Sequence, residues 1–421
     1  MSESDIGALK KRAMRGRPAV STPRLLEEIR EKIVCGEWKQ GVRLPTRREL
    51  SARFGMGLHT VQNVLDLLRR DGFVTACGRH GTFVAHNPPH LRRIALAIPA
   101  PPEQRWNKFW AVLAESARSL AENGEIEYAV YAAADSKLSD HPEYKRLLDD
   151  VLNDRLGGIL FASPPFLVEN TPILEKRGIP RAAISTSDQE GVITVRLEGG
   201  YLNKTVHMVA AQGRKRLAVL GVPGACDNFE EVSRLIRSHG LEFLPIWHQV
   251  GTQMCPEGAR SQTQMLALLP PHLRPDSLFI ADDNLAEPAC EGLEEAGLRI
   301  GEDIAVVTHW NFSPHASWKY RASRIGFDTF AILRQAARAL LGCRHGRRPP
   351  AQIRIPLITD EEILCSSHDK QKQDTGKQIL RKHCGFTLME LLVVVTIICL
   401  LYTSDAADDL LCVDLGGRRI I

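Results

Sequence analysis

The sequence predicts a mixed architecture: a small α+β domain of three helices and a β-hairpin, followed by a larger, two-lobed α/β domain. Three observations lead there. Positive charge gathers at the N-terminal end, helix-period apolar stripes near residues 25–68 close on two β-prone segments, and after Pro88-Pro89 short apolar runs alternate with helical stretches. At 421 residues with 44% hydrophobic content the chain exceeds one ordinary core and can fill two or more.

Residues 1–90 carry sixteen Lys and Arg against nine Asp and Glu, a balance of +7, which leaves −3 for the remainder of the +4 chain. Such a one-ended charge fits an N-terminal part that meets phosphate, although a solvated basic tail would carry the same balance. The ten cysteines stand singly, without a C-x-x-C pair or a His cluster at metal spacing, so reduced thiols are expected and no metal site. The start MSESDIGALKKRAMRGRP lacks an apolar stretch of signal-peptide length, and the expected location is cytoplasmic.

Residues 1–20 are polar and basic and are expected to form a flexible arm. Leu25, Leu26, Ile29 and Ile33 then form an apolar stripe that Gly36 closes. Thr46 after Pro45, with Glu49 three residues on, is a capping box for a second helix through Leu50 and Phe54 to Gly55. Val61, Val64, Leu65 and Leu68 share one face of a third helix that stops at Asp71-Gly72. Phe73-Val74-Thr75 and Thr82-Phe83-Val84, joined by Gly78-Arg79-His80-Gly81, predict a hairpin. Three helices and a hairpin make a winged helix-turn-helix over residues 21–86, and paired prolines mark 87–91 as an extended linker.

Beyond it, Ile94–Ile98, Tyr128–Ala132, Gly158–Ala162, Arg181–Ile184, Leu217–Leu220, Ser277–Ile280 and Ile304–Val307 are strand-like runs separated by helical stretches. Alternation of that kind predicts parallel sheets flanked by helices, and the length of 92–364 predicts two lobes.

The stretch Arg24 to Val84, with GEWKQGVRLPTRRELSARFG, HTVQNVLDLLRRDGFV and GRHGTFV, closely resembles the DNA-binding domain of the gluconate-repressor (GntR) family. A helix-turn-helix sends the start of its second helix into the major groove, which nominates His59, Thr60, Gln62 and Asn63 beside Leu58. Gln and Asn can bond an adenine edge bidentately, and Thr can meet a thymine methyl or a phosphate. Thr46, Arg47 and Arg48 are placed to hold the backbone, and Arg79, His80, Gly81 and Thr82 form the wing. By resemblance Arg48 matches the Arg of the family's Pro-Ser-Glu-Arg motif, Arg47 replaces its Glu, and Gly57-Leu58 replaces the Ser-Arg that commonly opens the recognition helix. Taken singly, His59, Gln62 and Asn63 read equally as a solvated helix face.

The larger part resembles the effector domain of lactose- and galactose-repressor-type regulators, a periplasmic-binding-protein-like fold, most closely in GGYLNKTVHMVAAQGRKRLAVLG and SLFIADDNLAEPACEGLEEAGLRIGEDIAVVTHWN. In such folds a ligand sits at the carboxyl ends of the strands, between the lobes. Loops after strands therefore nominate Trp106, Asp135, Ser163, Asp282, Asp283, Trp310 and Asn311. Trp faces stack on sugar rings and Asp or Asn bonds hydroxyls, so a sugar fits the set. Asp283 matches an Asp that often bonds ligand in the family; Asp282 reads equally as a helix N-cap, and Trp106 and Trp310 equally as core aromatics. Arg196 stands where the family commonly shows an acid, which would favour a carboxylate or phosphate on the ligand and makes a sugar acid the second expectation.

Together the two resemblances imply a DNA-binding transcription regulator, dimeric on double-stranded operator DNA and controlled by a small molecule. The rival is a cytosolic solute-binding module without sequence-specific DNA activity. There is no P-loop, G-x-S-x-G or H-E-x-x-H, so no catalytic residue, cofactor or enzyme activity is expected.

Residues 365–421 leave this pattern. Gly385-Phe-Thr-Leu-Met-Glu390 and the apolar run to Leu401 resemble the start of a type IV prepilin, displaced from the N-terminus where such a segment belongs, and YTSDAADDL resembles translated sequencing-adapter sequence. A neighbouring reading frame or assembly error fused to a regulator ending near Leu364 is expected, with a membrane-tethered regulator as the alternative.

Overall fold

The computed structural model describes residues 22–104, 106–313 and 318–363. The expected arm over 1–20 and the prepilin-like segment lie outside them. The described residues up to Thr359 form one compact unit, and those from Asp360 on fall outside it.

The N-terminal part is built as the periodicity predicts. Helices α1 (Thr22–Val34), α2 (Arg47–Phe54) and α3 (Leu58–Arg70) turn Leu25, Ile29, Leu50, Val61, Val64 and Leu68 into a shared core. The Thr46 hydroxyl accepts from the Glu49 amide while the Glu49 carboxylate accepts from the Thr46 amide at 2.7 Å, the reciprocal capping box. These bonds hold the Glu49 carboxyl below its ordinary range. Strands β1 (Val74–Ala76) and β2 (Thr82–Val84) pair antiparallel, Thr75 opposite Phe83, across a tip at Gly78–His80. Arg43 bridges to Phe83, so a third segment lies along the wing.

The segment expected as an extended tether is instead a short 3-10 turn, Pro89–Leu91, with His90 2% exposed and its ring stacked on Phe73 at 5.8 Å. An ionic joint lies beside it. Arg155 donates to Asp71 at the end of α3 (3.0 Å) and to Asp150 (3.1 Å), Tyr131 Oη donates to Asp150, and Arg30 donates to Asn153 at 2.8 Å. The recognition helix is thereby pinned to the first lobe.

That lobe holds strands β3 (Arg93–Ala97), β4 (Glu127–Tyr131), β5 (Gly158–Phe161), β6 (Arg181–Ile184) and β7 (Ile193–Leu197), with helices α4 (Lys108–Glu122), α5 (Pro142–Leu152) and α6 (Pro172–Glu175). The second lobe holds β8 (Leu217–Gly221), β9 (His248–Val250), β10 (Ser277–Ile280), β11 (Ala305–Phe312) and β12 (Ser323–Asp328), with α7 (Tyr201–Ala211), α8 (Phe229–Ser238), α9 (Gly258–Ala267) and α10 (Asp283–Glu295). Helix α11 (Thr329–Arg344), β13 (Gln352–Ile355) and β14 (Ile358–Thr359) complete the unit.

The first sheet runs β13-β7-β6-β5-β3-β4, all parallel; the second runs β14-β12-β11-β10-β8-β9, parallel except for β14. Strand alternation splits the first lobe's core. Ile94 and Leu96 pack with residues of α4 and α11, whereas Ala95 and Ala97 pack with residues of α5 on the opposite face. The chain passes between the lobes after β7, after β12 and after β13. In the second sheet Gly326 lies so close to Trp310 that an added Cβ would overlap its carbonyl oxygen.

Candidate nucleic-acid interface and effector cavity

On the winged helix, Arg47, Arg48, His59, Asn63, Arg79 and His80 are exposed, and Thr60, Gln62, Gly81 and Thr82 are half-buried. Arg47 Nη1 donates to Gln62 Oε1 at 2.9 Å, so a backbone-clamp candidate on α2 orients a base-reading candidate on α3. Asn63 Nδ2 lies 3.3 Å from His59 Nδ1, one turn away. Thr46, exposed at the head of α2, spends its hydroxyl in the capping box.

Sequence reasoning missed Arg43. Its guanidinium lies against Gly81, whose φ of +109° is open to glycine, and among the described residues none of Arg43, Arg47, Arg48 and Arg79 is in an ion pair. Its place beside the wing shows only in the fold, where the next residue, Leu44, is sewn to Thr82 by a backbone bond of 2.8 Å.

In the larger domain a cavity of about 120 Å³ opens at the carboxyl ends of β10 and β11. It brings together Asp282, Asp283 and Asn311, and adds Asn107, Gln253 and His309. Asp282 is the N-cap of α10, its Oδ1 accepting from the Asn284 amide at 2.8 Å, and it also lines the cavity. Asp283 is 4% exposed; its Oδ2 accepts from Asn311 Nδ2 at 2.8 Å, and burial raises its carboxyl against the lowering pull of His309. Asn311 Oδ1 is buried with no donor. A bond from the Lys108 amide of the first lobe to Asn284 Oδ1 of the second (2.9 Å) closes the cleft at one side.

The other nominated residues lie elsewhere. Trp106 donates to the Ala100 carbonyl and lines a groove beside β4, and Asp135 caps the turn at Ser136–Leu138. Ser163 is half-buried after β5, outside the cavity lining. Arg196 pairs with Asp188 at 3.4 Å. Trp310 packs on Trp318, ring centres 4.8 Å apart, because neighbouring strand residues point to opposite faces and Asn311 and His309 take the cavity side. Among the described residues no three His, Cys, Asp or Glu side chains gather as a metal site, and no helix is long and apolar enough to cross a membrane.

Comparison with known proteins bears on both halves. Residues 22–84 match the bacterial regulatory proteins of the gntR family, residues 206–360 match the periplasmic binding protein-like domain, and residues 380–401 match the prokaryotic N-terminal methylation motif. The arabinose metabolism transcriptional repressor of Geobacillus stearothermophilus is 22% identical over 332 residues, 75% of this chain and 89% of that protein. The transcriptional repressor PurR of Aliivibrio fischeri is 32% identical over 149 residues, 32% of this chain and 43% of that protein. A LacI-family transcriptional regulator from Arthrobacter shares the fold of the larger domain, with a TM-score of 0.50 at 16% identity, covering 64% of this chain and 96% of that one. Fold and matches thus define the class: a DNA-binding transcription regulator under the control of a small-molecule effector. Within that class this chain joins a gntR-type winged helix to a periplasmic-binding-protein-like effector domain.

Proposed function

We propose that the chain is a repressor that binds a two-fold operator as a homodimer and answers to a neutral sugar held in the cavity at Asp282, Asp283 and Asn311. The observation that carries the effector reading is the set of buried acceptors. Asn311 Oδ1 has no donor and Asp283 is sealed from water, so a ligand rich in hydroxyl donors satisfies both at once. Arg196, the ground for an acidic sugar, is paired with Asp188 outside the cavity, which supports the neutral ligand.

At about 120 Å³ the cavity is smaller than the roughly 300–1,000 Å³ of ordinary ligand sites, so entry requires the lobes to part about the three chain crossings. A ligand that prefers one lobe arrangement would bias the docked winged helix with it, by no more than its difference in affinity for the two states.

Arabinose, the sugar after which the Geobacillus repressor is named, is the first ligand to test. Calorimetric titration against arabinose, other neutral sugars and a uronic acid, with operator binding measured alongside, decides the reading. A neutral sugar that binds and changes operator affinity supports it. If only the uronic acid binds, the assignment of the acceptors is wrong.

A further inference from the structure

A second cleft, of about 460 Å³, lies at the joint between the two halves, walled by Ile33, Val34 and Trp38 on one side and by Leu91 and Arg344 on the other. Lys39, Arg344, His345 and His90 line it, and no acidic residue does. Arg344 donates to the carbonyls of Gly157 (3.2 Å) and Leu156 (2.8 Å) and has no ion pair among the described residues. Behind it Arg181, 8% exposed, donates to the carbonyls of Ile173, Ile179 and Lys176. Burial lowers both guanidiniums to about 10, with the Arg344 charge adding to the effect at Arg181, and burial with the same charge lowers His90 to about 4. The acid that bears on Arg344, Asp154, is already held by Lys176 at 2.8 Å. His90 Nδ1 is buried without a partner.

Desolvated positive charge with no counter-charge is costly. In the last turns of α1 and α11 the carbonyls of Glu31, Lys32 and Ile33 and of Leu341, Gly342 and Cys343 are already taken by backbone amides. We propose that this cleft is a binding site for a small organic anion, a phosphate- or carboxylate-bearing molecule with an apolar body, whose occupancy clamps the winged helix to the sensor domain. The site is separate from the cavity between the lobes and does not depend on the reading of that cavity.

Cys35 lines the cleft and is exposed, as are Cys77 and Cys255 elsewhere, so alkylation of the full-length protein by iodoacetamide, followed by peptide mass spectrometry, reports on it against internal references. Saturating pyrophosphate or citrate is expected to slow Cys35 about three-fold or more, as burial of a partly exposed thiol does, with Cys77 and Cys255 unchanged. Lys39→Gln, an exposed position that cannot unfold the core, is expected to raise the half-protecting concentration about five-fold, the effect of one unit charge at about 4 Å in water. Protection by pyrophosphate alone assigns a phosphate head, and by citrate alone a carboxylate. If neither anion at millimolar concentration protects Cys35 beyond the two references, or Lys39→Gln leaves the protection unchanged, the site does not exist.

Discussion

Replacing Arg155 by Ala tests whether the winged helix is docked or merely tethered. The Arg155 side chain is 17% exposed and reaches Asp71 and Asp150, each 8% exposed, at 3.0 and 3.1 Å. Its loss leaves Asp71 with Arg30 and Arg70, each at 3.9 Å, and Asp150 with Arg93 at 3.5 Å and the Tyr131 hydroxyl. Breaking a buried pair costs about 3–5 kcal/mol when the partner is stranded. The remaining cations and the partial exposure reduce this to about 2 kcal/mol, concentrated at the joint. A double-mutant cycle with Asp71→Asn, read by urea unfolding, isolates the link. A coupling of about 1–2 kcal/mol is expected, together with earlier release of the N-terminal domain to limited proteolysis. A coupling within about 0.3 kcal/mol of zero would refute the docked joint, since the two sites would then behave as independent.

Four further outcomes follow from the geometry. His90 titrates at about 4 in the fold against about 6.5 unfolded, so the unfolded chain takes up the proton first, and stability that is complete above pH 6.5 declines between 6.5 and 4, by up to about 3 kcal/mol; His90→Gln should flatten a denaturation profile across that window. Asp283→Asn should abolish the sugar response in calorimetry while operator affinity stays within two-fold of the parent, roughly 0.4 kcal/mol. Arg48→Ala should weaken binding to all DNA sequences alike and lower the salt slope by about 1, as measured by anisotropy titrations at several salt concentrations. Gly81→Ala forces a side chain into φ +109° beside Arg43, and a loss of about 1–2 kcal/mol, read from the melting curve of the N-terminal part, is expected.

Much of this protein is written locally. The capping box at Thr46–Glu49, the stripe from Val61 to Leu68 and the Gly78–Gly81 turn specify their elements through bonds and periodicities within a few residues, and they stand in the structure as read. The place of Asp282 and Asp283 beside the cavity was legible for the same reason, because an apolar strand followed by an N-cap marks the carboxyl end of a parallel strand. Strands β7, β9, β12, β13 and β14 were not, since they are short or sit at a chain crossing, where long-range pairing and not local pattern makes a strand.

What only the tertiary structure decided is which residues of distant segments share a space. Trp310 and Asn311 are adjacent in sequence, yet the pleat sends one into the core and the other to the cavity. Arg155 and Asp71, 84 positions apart, turn a segment that reads as a linker into a joint. Arg344 and His90 meet across one cleft although nothing in either neighbourhood announces the other. Sequence pattern carries the period of an element and the chemistry of its ends; the burial that unites unlike charges, or leaves like charges without a partner, exists only once the chain has closed on itself.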